Sequence, residues 1–203
     1  MYIPDIYLNE NRSEILRFIE ENSFAILVNQ SNDKINATHI PLFIEESNNN
    51  QLILSGHISK LNPQSENFAE NGNVLAIFSG AHSYISSSWY DYEEVPTWNY
   101  LAVHVEGKIE ILNEEQKLLH LENLVNKYEK NSEKPISTKS LSKETMSQAN
   151  GILAFNIIVQ NIDAVKKLSQ NKSENNKKSI ISHLEKSENE GAKSIANEMK
   201  NIR

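Results

Sequence analysis

The chain has 203 residues, no cysteine, 38% hydrophobic residues and a formal net charge of −7. That length fits one domain, 1–203, with a helical extension from about residue 173, and can bury a core without staples. The absence of cysteine excludes disulfides, zinc–thiolate sites and a cysteine nucleophile, and suits a reducing cytoplasm. No apolar run approaches the roughly 20 residues of a membrane span. The opening Met1-Tyr2-Ile3-Pro4-Asp5 lacks a basic region followed by an apolar stretch, so a soluble, cytoplasmic protein is expected. Residues 1–100 hold four Lys/Arg against thirteen Asp/Glu, and residues 101–203 hold sixteen against fourteen. This acidic balance argues against broad nucleic-acid binding, where phosphate contacts dominate affinity. Lys60 is the only Lys or Arg between Ile35 and Gly107, so an anion site in that stretch must combine it with neutral donors.

A helix is expected from Asn11, whose spacing to Glu14 is that of a capping box, with Ile15, Leu16, Phe18 and Ile19 on one face. "SFAILVNQ" (Ser23 to Gln30) has strand length, and the polar Ser31 to Lys34 reads as a hairpin turn into "INATHIPLFIEE". Pro41 marks an edge or a bulge there, because it removes a ladder donor. A second polar break, Ser47 to Asn50, leads to the strand "QLILSGHI". Residues 60–72 read as a loop with a short helix. "NVLAIFSG" and "HSYISSSWY" follow as two further strands, Asp91 to Val95 as an acidic loop, and "YLAVHVEGKIEIL" as another strand. Leu118, Leu119, Leu121, Leu124, Val125 and Tyr128 recur at helical spacing. Asn131 to Ser147 reads as a mobile or weakly helical connection, and "GILAFNIIVQNI" as a strand. From Ser173 the pattern is a solvated helix with Ile180, Ile181 and Leu184 as its apolar points. Six or seven short strands with regular turns suggest a small β-barrel with peripheral helices, a mainly β fold.

Four of the six His, both Trp and four of the seven Tyr fall between residues 39 and 104. Strand propensity accounts for part of this. The histidines lack HxH or HxxxH spacing, so no metal site is expected. In "GHISKLNPQ" (Gly56 to Gln64), Gly56 permits close backbone approach, while His57, Ser59, Lys60 and Asn62 can donate to a phosphate. The structural alternative is a polar strand end with a solvated lysine. The string has neither the glycine spacing of a Walker loop nor that of a dinucleotide fingerprint.

"ATHIPL" (Ala37 to Leu42), "GHISKLNPQ", "GAHSYISSSWY" (Gly80 to Tyr90) and "VPTWNYLAVHVEG" (Val95 to Gly107), in this order, resemble the PaiB family of FMN-binding proteins. "MYIP" at the start and "KLSQNKS" (Lys167 to Ser173) fit as well. The resemblance implies an FMN-binding split β-barrel related to pyridoxamine-phosphate oxidases and flavin reductases, with the flavin at a homodimer interface. It implies that His57, Lys60 and Asn62, assisted by Ser59, hold the phosphate. Thr38, His39 and Pro41 would line the flavin. Tyr84, Ser86, Trp89, Trp98, Asn99 and Tyr100 would form an aromatic wall and interface, and Gln170, Asn171 and Lys172 would close the site. Ala81 and Ser87 stand where the family pattern has proline, and Lys172 stands where it has arginine, without the bidentate fork.

Two functions follow from the resemblance. One is a flavin-binding negative transcriptional regulator of protease and sporulation genes, although no helix-turn-helix is evident and DNA binding is weakly supported. The other is a flavin-dependent oxidoreductase acting on a small molecule, with His39, His82 or His104 as possible proton donors. A haem-degrading role, suggested by the histidine count alone, is more remote.

Overall fold

The first helix opens where its cap predicts. The Asn11 side-chain oxygen accepts from Ser13 and Glu14 backbone N–H groups (3.1 and 3.3 Å), satisfying donors that a helix start leaves open. Helix α1 then runs Arg12–Glu21. The fold was obtained as a computed structural model, described for all residues except 32, 46–50, 69–71 and 203; Asn32 of the first polar turn and the second polar break lie outside the described residues.

Seven strands follow: β1 Phe24–Ser31, β2 Lys34–Pro41, β3 Phe43–Glu45, β4 Ile53–Ser59, β5 Asn73–Ile85, β6 Thr97–Ile111 and β7 Ile152–Lys167. They make one curled antiparallel sheet in the order β2-β1-β5-β6-β7-β4-β3. Pro41 ends β2, which is an edge strand, so its missing donor is harmless. Helices α2 Glu114–Glu129, α3 Lys143–Ser147, α4 Glu174–Glu185 and α5 Glu190–Lys200 complete the fold. No helix among the described residues is long and apolar enough to cross a membrane.

Three sequence expectations need correction. The two strands expected around Gly80 are one, β5. A Cβ at Gly80 would lie 2.6 and 2.8 Å from Phe18 ring carbons, so this glycine serves close packing within a continuous strand rather than a break. The Lys/Glu-rich C-terminal stretch is two helices with a buried face: Ile180, Leu184, Ala192, Ile195, Ala196 and Met199 form a cluster with Ile85 and Leu168. Helix α2 buries Lys117 and His120, while Leu118 and Leu119 are about half exposed (48% and 54%).

The chain falls into two compact units: Met1–Phe18, Phe78–His104 and Asp163–Arg203 form the first, and Ile19–Ile77 with Val105–Ile162 form the second. The α4–α5 cluster is the core of the first. In the second, Leu27, Leu42, Leu54, Phe155 and Ile157 are fully buried, each such side chain contributing roughly 1.5–3 kcal/mol of apolar transfer.

Candidate functional site

In the second unit, strand alternation sends Ser55, His57 and Ser59 of β4 to one face and Leu54, Gly56 and Ile58 to the other. Leu54, Gly56 and Ile58 are buried. A Cβ at Gly56 would come 2.5 Å from Leu42 Cδ2 and 3.3 Å from the Phe155 ring. The glycine expected to admit a ligand is therefore required by the core.

Beyond β4 the backbone N–H of Lys60 donates to the Gly151 carbonyl (2.9 Å), which fixes the loop while its side chain stays exposed. Asn62 caps the short 3-10 helix Pro63–Asn67 by accepting from the Gln64 N–H (3.0 Å), and its amide donates to Thr38 Oγ1 (2.9 Å). The Ser59 hydroxyl accepts from the Leu61 N–H (3.2 Å). Thr38 is thus brought to the "SKLN" loop from 24 residues away. His39 and Pro41 alternate to the other face of β2, where His39 lies 6.0 Å from the Phe24 ring. Among the described residues Lys60 has no carboxylate within ion-pair distance, and its charge reaches Glu114 only as a minor lowering influence behind Lys117. A lysine on the same short loop as a hydroxyl and an amide, one strand end from an imidazole, is a set of residue types that suits a phosphate: the cation meets the charge and the neutral groups supply directed hydrogen bonds.

His57 has a partner that the sequence did not reveal. Its Nδ1 lies 3.0 Å from His120 Nε2, and His120 Nδ1 lies 2.8 Å from Ser55 Oγ. The Phe43 ring stacks on His120 at 5.3 Å. Burial pushes the His120 imidazole down to about 4, with a smaller push from His57, and burial lowers His57 as well. Both rings are therefore neutral at pH 7. His120 sits among leucines at helical spacing, where only the fold distinguishes an inward histidine from an outward one.

The first unit holds a cleft of about 680 Å³ lined by His82, Tyr84, Trp89, Trp98, His183 and backbone around Gly80 and Gly191. That size suits a small-molecule pocket. Trp89 stacks on His183 at 4.9 Å and 12°, and the His82 and Tyr84 rings each lie 6.0 Å from Trp98. Trp98 is 53% exposed. His183 Nδ1 is 2.8 Å from the Ser179 carbonyl, which makes Nδ1 the protonated nitrogen. Nothing local to His183 in the sequence announces this role, because Trp89 is nearly a hundred residues away.

The remaining expected residues divide. Ser86 accepts from the Ser88 N–H (3.2 Å) and starts the turn Ser87–Trp89. Tyr100 is half-buried on β6. Asn99 is fully buried; its oxygen accepts from the Ser169 hydroxyl (3.1 Å) and its amide faces Met199 Sδ (3.6 Å). Ser169 adopts φ 59°, a left-handed conformation held in place by this bond and by the Lys172 N–H donating to its carbonyl (3.1 Å). Gln170 spends its amide on the Leu168 N–H and the Lys166 carbonyl. Asn171 and Lys172 line a small cavity of about 130 Å³ with Tyr90 and Glu94. No group of three or more His, Cys, Asp or Glu among the described residues could hold a metal ion.

Residues 1–161 match a family described as "Putative FMN-binding domain". The chain is 41% identical over 197 residues to "Protease synthase and sporulation protein PAI 2" of Bacillus subtilis, covering 97% of this chain and 95% of that protein. Its fold resembles the FAD and haem binding protein from Mycobacterium smegmatis (TM-score 0.62, 14% identity, 79% of this chain and 73% of that one). It also resembles the flavocytochrome Anf3 from Azotobacter vinelandii (TM-score 0.60, 12% identity, 82% and 72%).

Proposed function

The chain belongs to the PaiB family of FMN-binding proteins, and from that premise we propose that it is an FMN-dependent regulator of protease and sporulation genes that works as a homodimer in the cytoplasm. The observation that supports the flavin part is the Ser59–Asn62 loop, held by the Ser59 and Asn62 side chains and carrying the exposed Lys60, next to His57 at the end of β4. Lys60 supplies charge to the phosphate end, and His57, Ser59 and Asn62 orient it. Thr38, on the face of β2 that meets the Asn62 amide, lines the flavin; within the first unit, Tyr84, Trp89, Trp98 and Tyr100 offer ring faces for stacking. Bound FMN supplies hydride and single-electron transfer, while the protein binds, orients and excludes water.

The dimer reading rests on apolar groups left in solvent: Leu61, 93% exposed between Lys60 and Asn62, together with Trp98 and Tyr84. Such groups gain most from a second surface. The regulatory reading rests on the Bacillus subtilis relative. Direct DNA contact has little support in the charge distribution, since Lys166, Lys177, Lys193 and Lys200 are each paired with a glutamate; a protein partner or metabolite sensing suits the acidic surface better.

The first test is the visible spectrum of purified protein before and after addition of FMN and desalting. A retained two-band flavin spectrum is expected, and a colourless protein after reconstitution overturns the flavin reading. Light scattering tests the dimer, and a salt-sensitive shift of a promoter fragment tests DNA contact.

A second reading, a flavin-dependent oxidoreductase, is favoured by the cleft containing His82 and His183. It requires oxidation of a reduced nicotinamide or small substrate in the presence of FMN, and fails if turnover does not exceed that of free FMN.

A further inference from the structure

Ser55 on β4 lies directly opposite Phe43 on β3 in the strand register, and His57 follows two residues on, so the three share the face that His120 of α2 meets. Phe43 stacks on the His120 ring at an interplanar angle of 17°, whereas His57 approaches edge-on at 81°. These contacts fix the ring plane and aim Nδ1 of His120 at Ser55 and Nε2 at His57. The result is a three-member hydrogen-bond chain whose one open end, among the described residues, is His57 Nε2.

With neutral rings the chain can run in two directions. In one, the Ser55 hydroxyl donates to His120 Nδ1, His120 Nε2–H donates to His57 Nδ1, and His57 carries its proton on Nε2. In the other, every proton is reversed: His57 Nδ1–H donates, His120 Nδ1–H donates to Ser55, and the Ser55 proton must find another acceptor. Ser55 is fully buried and His120 is its only side-chain hydrogen-bond partner among the described residues. In the reversed direction the Ser55 proton has no hydrogen-bonded acceptor among the described residues: Asn156 Oδ1, on the β7 residue opposite Ser55, is itself buried without a partner and is not in hydrogen-bond contact with Ser55, and an unmet donor costs more than an unused lone pair.

We propose that His120 is a positioning residue that, backed by Ser55, locks His57 in the Nε2–H tautomer, so that a neutral histidine presents a directed donor at the open end of the chain. Metal-bound histidines are oriented by a partner on the other ring nitrogen in the same manner. The consequence for the anion site is a division of labour, in which Lys60 provides charge and His57 provides direction. Only that consequence rests on the FMN reading; the tautomer itself does not.

The test observes the imidazoles directly. Two-bond 1H–15N correlation spectra of full-length, histidine-labelled protein without FMN compare wild type with Ser55→Ala and His120→Phe. A single Nε2–H tautomer for His57 is expected in wild type, and a tautomer mixture in both variants. An Nδ1–H His57 in wild type, or a His57 signal unchanged by the substitutions, overturns the proposal. Ser55→Ala removes one hydroxyl and keeps the test decisive should His120→Phe fail to fold. FMN titration then separates the two readings: Ser55→Ala should weaken FMN binding roughly tenfold, the loss of about one well-directed hydrogen bond. If the tautomer responds as expected while His57→Ala leaves FMN affinity unchanged, His120 still positions His57 and the phosphate role of His57 is discarded.

Discussion

Lys172 is closed onto Glu94: its ammonium pairs with that carboxylate, with the Tyr92 hydroxyl 3.3 Å away and the Tyr90 and Tyr92 rings beneath it at 5.4 and 5.8 Å. The hydrogen bond from Lys172 holds Glu94 below the usual carboxylate range, and the same bond holds Lys172 above its own. The one lysine of the "LSQNK" string is therefore neutralised within its own unit. Lys60, in the other unit, has no carboxylate within ion-pair distance among the described residues, although its charge, behind Lys117, helps to lower Glu114.

This contrast orders the lysines by their effect on FMN. Lys60→Ala should weaken binding by about tenfold to a hundredfold, the range of a lost charge-assisted hydrogen bond. Lys172→Ala should cost much less, because its charge is already spent on Glu94, and Lys178→Ala, on the exposed side of α4, should leave affinity unchanged. Fluorescence titration of the three variants gives the order. Equal losses for Lys60 and Lys178 would remove the phosphate assignment.

Gly56, inside β4, and Gly151, just before β7, differ in their tolerance of a side chain. Gly56→Ala places a methyl 2.5 Å from Leu42 Cδ2, whereas nothing lies within 4 Å of a Cβ at Gly151. Overpacking of this kind costs about 1–3 kcal/mol, so urea unfolding should show Gly56→Ala well below wild type and Gly151→Ala close to it. If Gly56→Ala kept full stability and lost only FMN, Gly56 would serve the ligand rather than the core.

Much of this was legible in the sequence because it is local. The Asn11 cap, the edge position of Pro41, the short helix after Lys60 and strands β1, β4, β6 and β7 follow from neighbours a few residues apart, whereas the run expected as one strand over "INATHIPLFIEE" divides into β2 and β3 and the two expected around Gly80 join as β5. The family strings identified the flavin class by the same means. What was not legible depends on distant partners. Asn99 reads as a site residue until Ser169 and Met199 enclose it; Lys172 reads as a residue that closes the site until Glu94 claims its ammonium. His120 and His183 gain their roles from Ser55, His57 and Trp89, none of which is near them in the chain.

Helix α2 is the sharpest case: Leu121 and Leu124 are half-buried on the inward face as expected, but Leu118 and Leu119 lie off it. Lys117, paired with Glu114 at 2.7 Å, and His120 point inward, while Leu118 and Leu119 are half exposed. Leu119→Glu should therefore change stability by no more than about 0.5 kcal/mol. A loss of several kcal/mol in urea unfolding would instead put Leu119 in a core, either of this chain or of its dimer. Repeating the measurement at several protein concentrations distinguishes these two.

The buried histidine chain should also leave a mark on acid stability. An unfolded His120 takes up a proton near 6.5 and the folded one only near 4. Between those values the unfolded chain binds more protons, so stability falls as pH drops from about 6.5 towards 4 and this contribution then levels off. A shift of that size corresponds to about 3 kcal/mol across the window, and His57, lowered in the same direction, acts in the same sense. Glu94 titrates lower and is present in every variant, so its contribution cancels in a comparison. Urea midpoints at pH about 7.5, 6 and 5 should fall faster for wild type than for His120→Phe, by about 2 kcal/mol at pH 5. Parallel profiles for the two proteins would mean that His120 is already charged in the folded state, and the neutral chain from Ser55 to His57 would have to be abandoned.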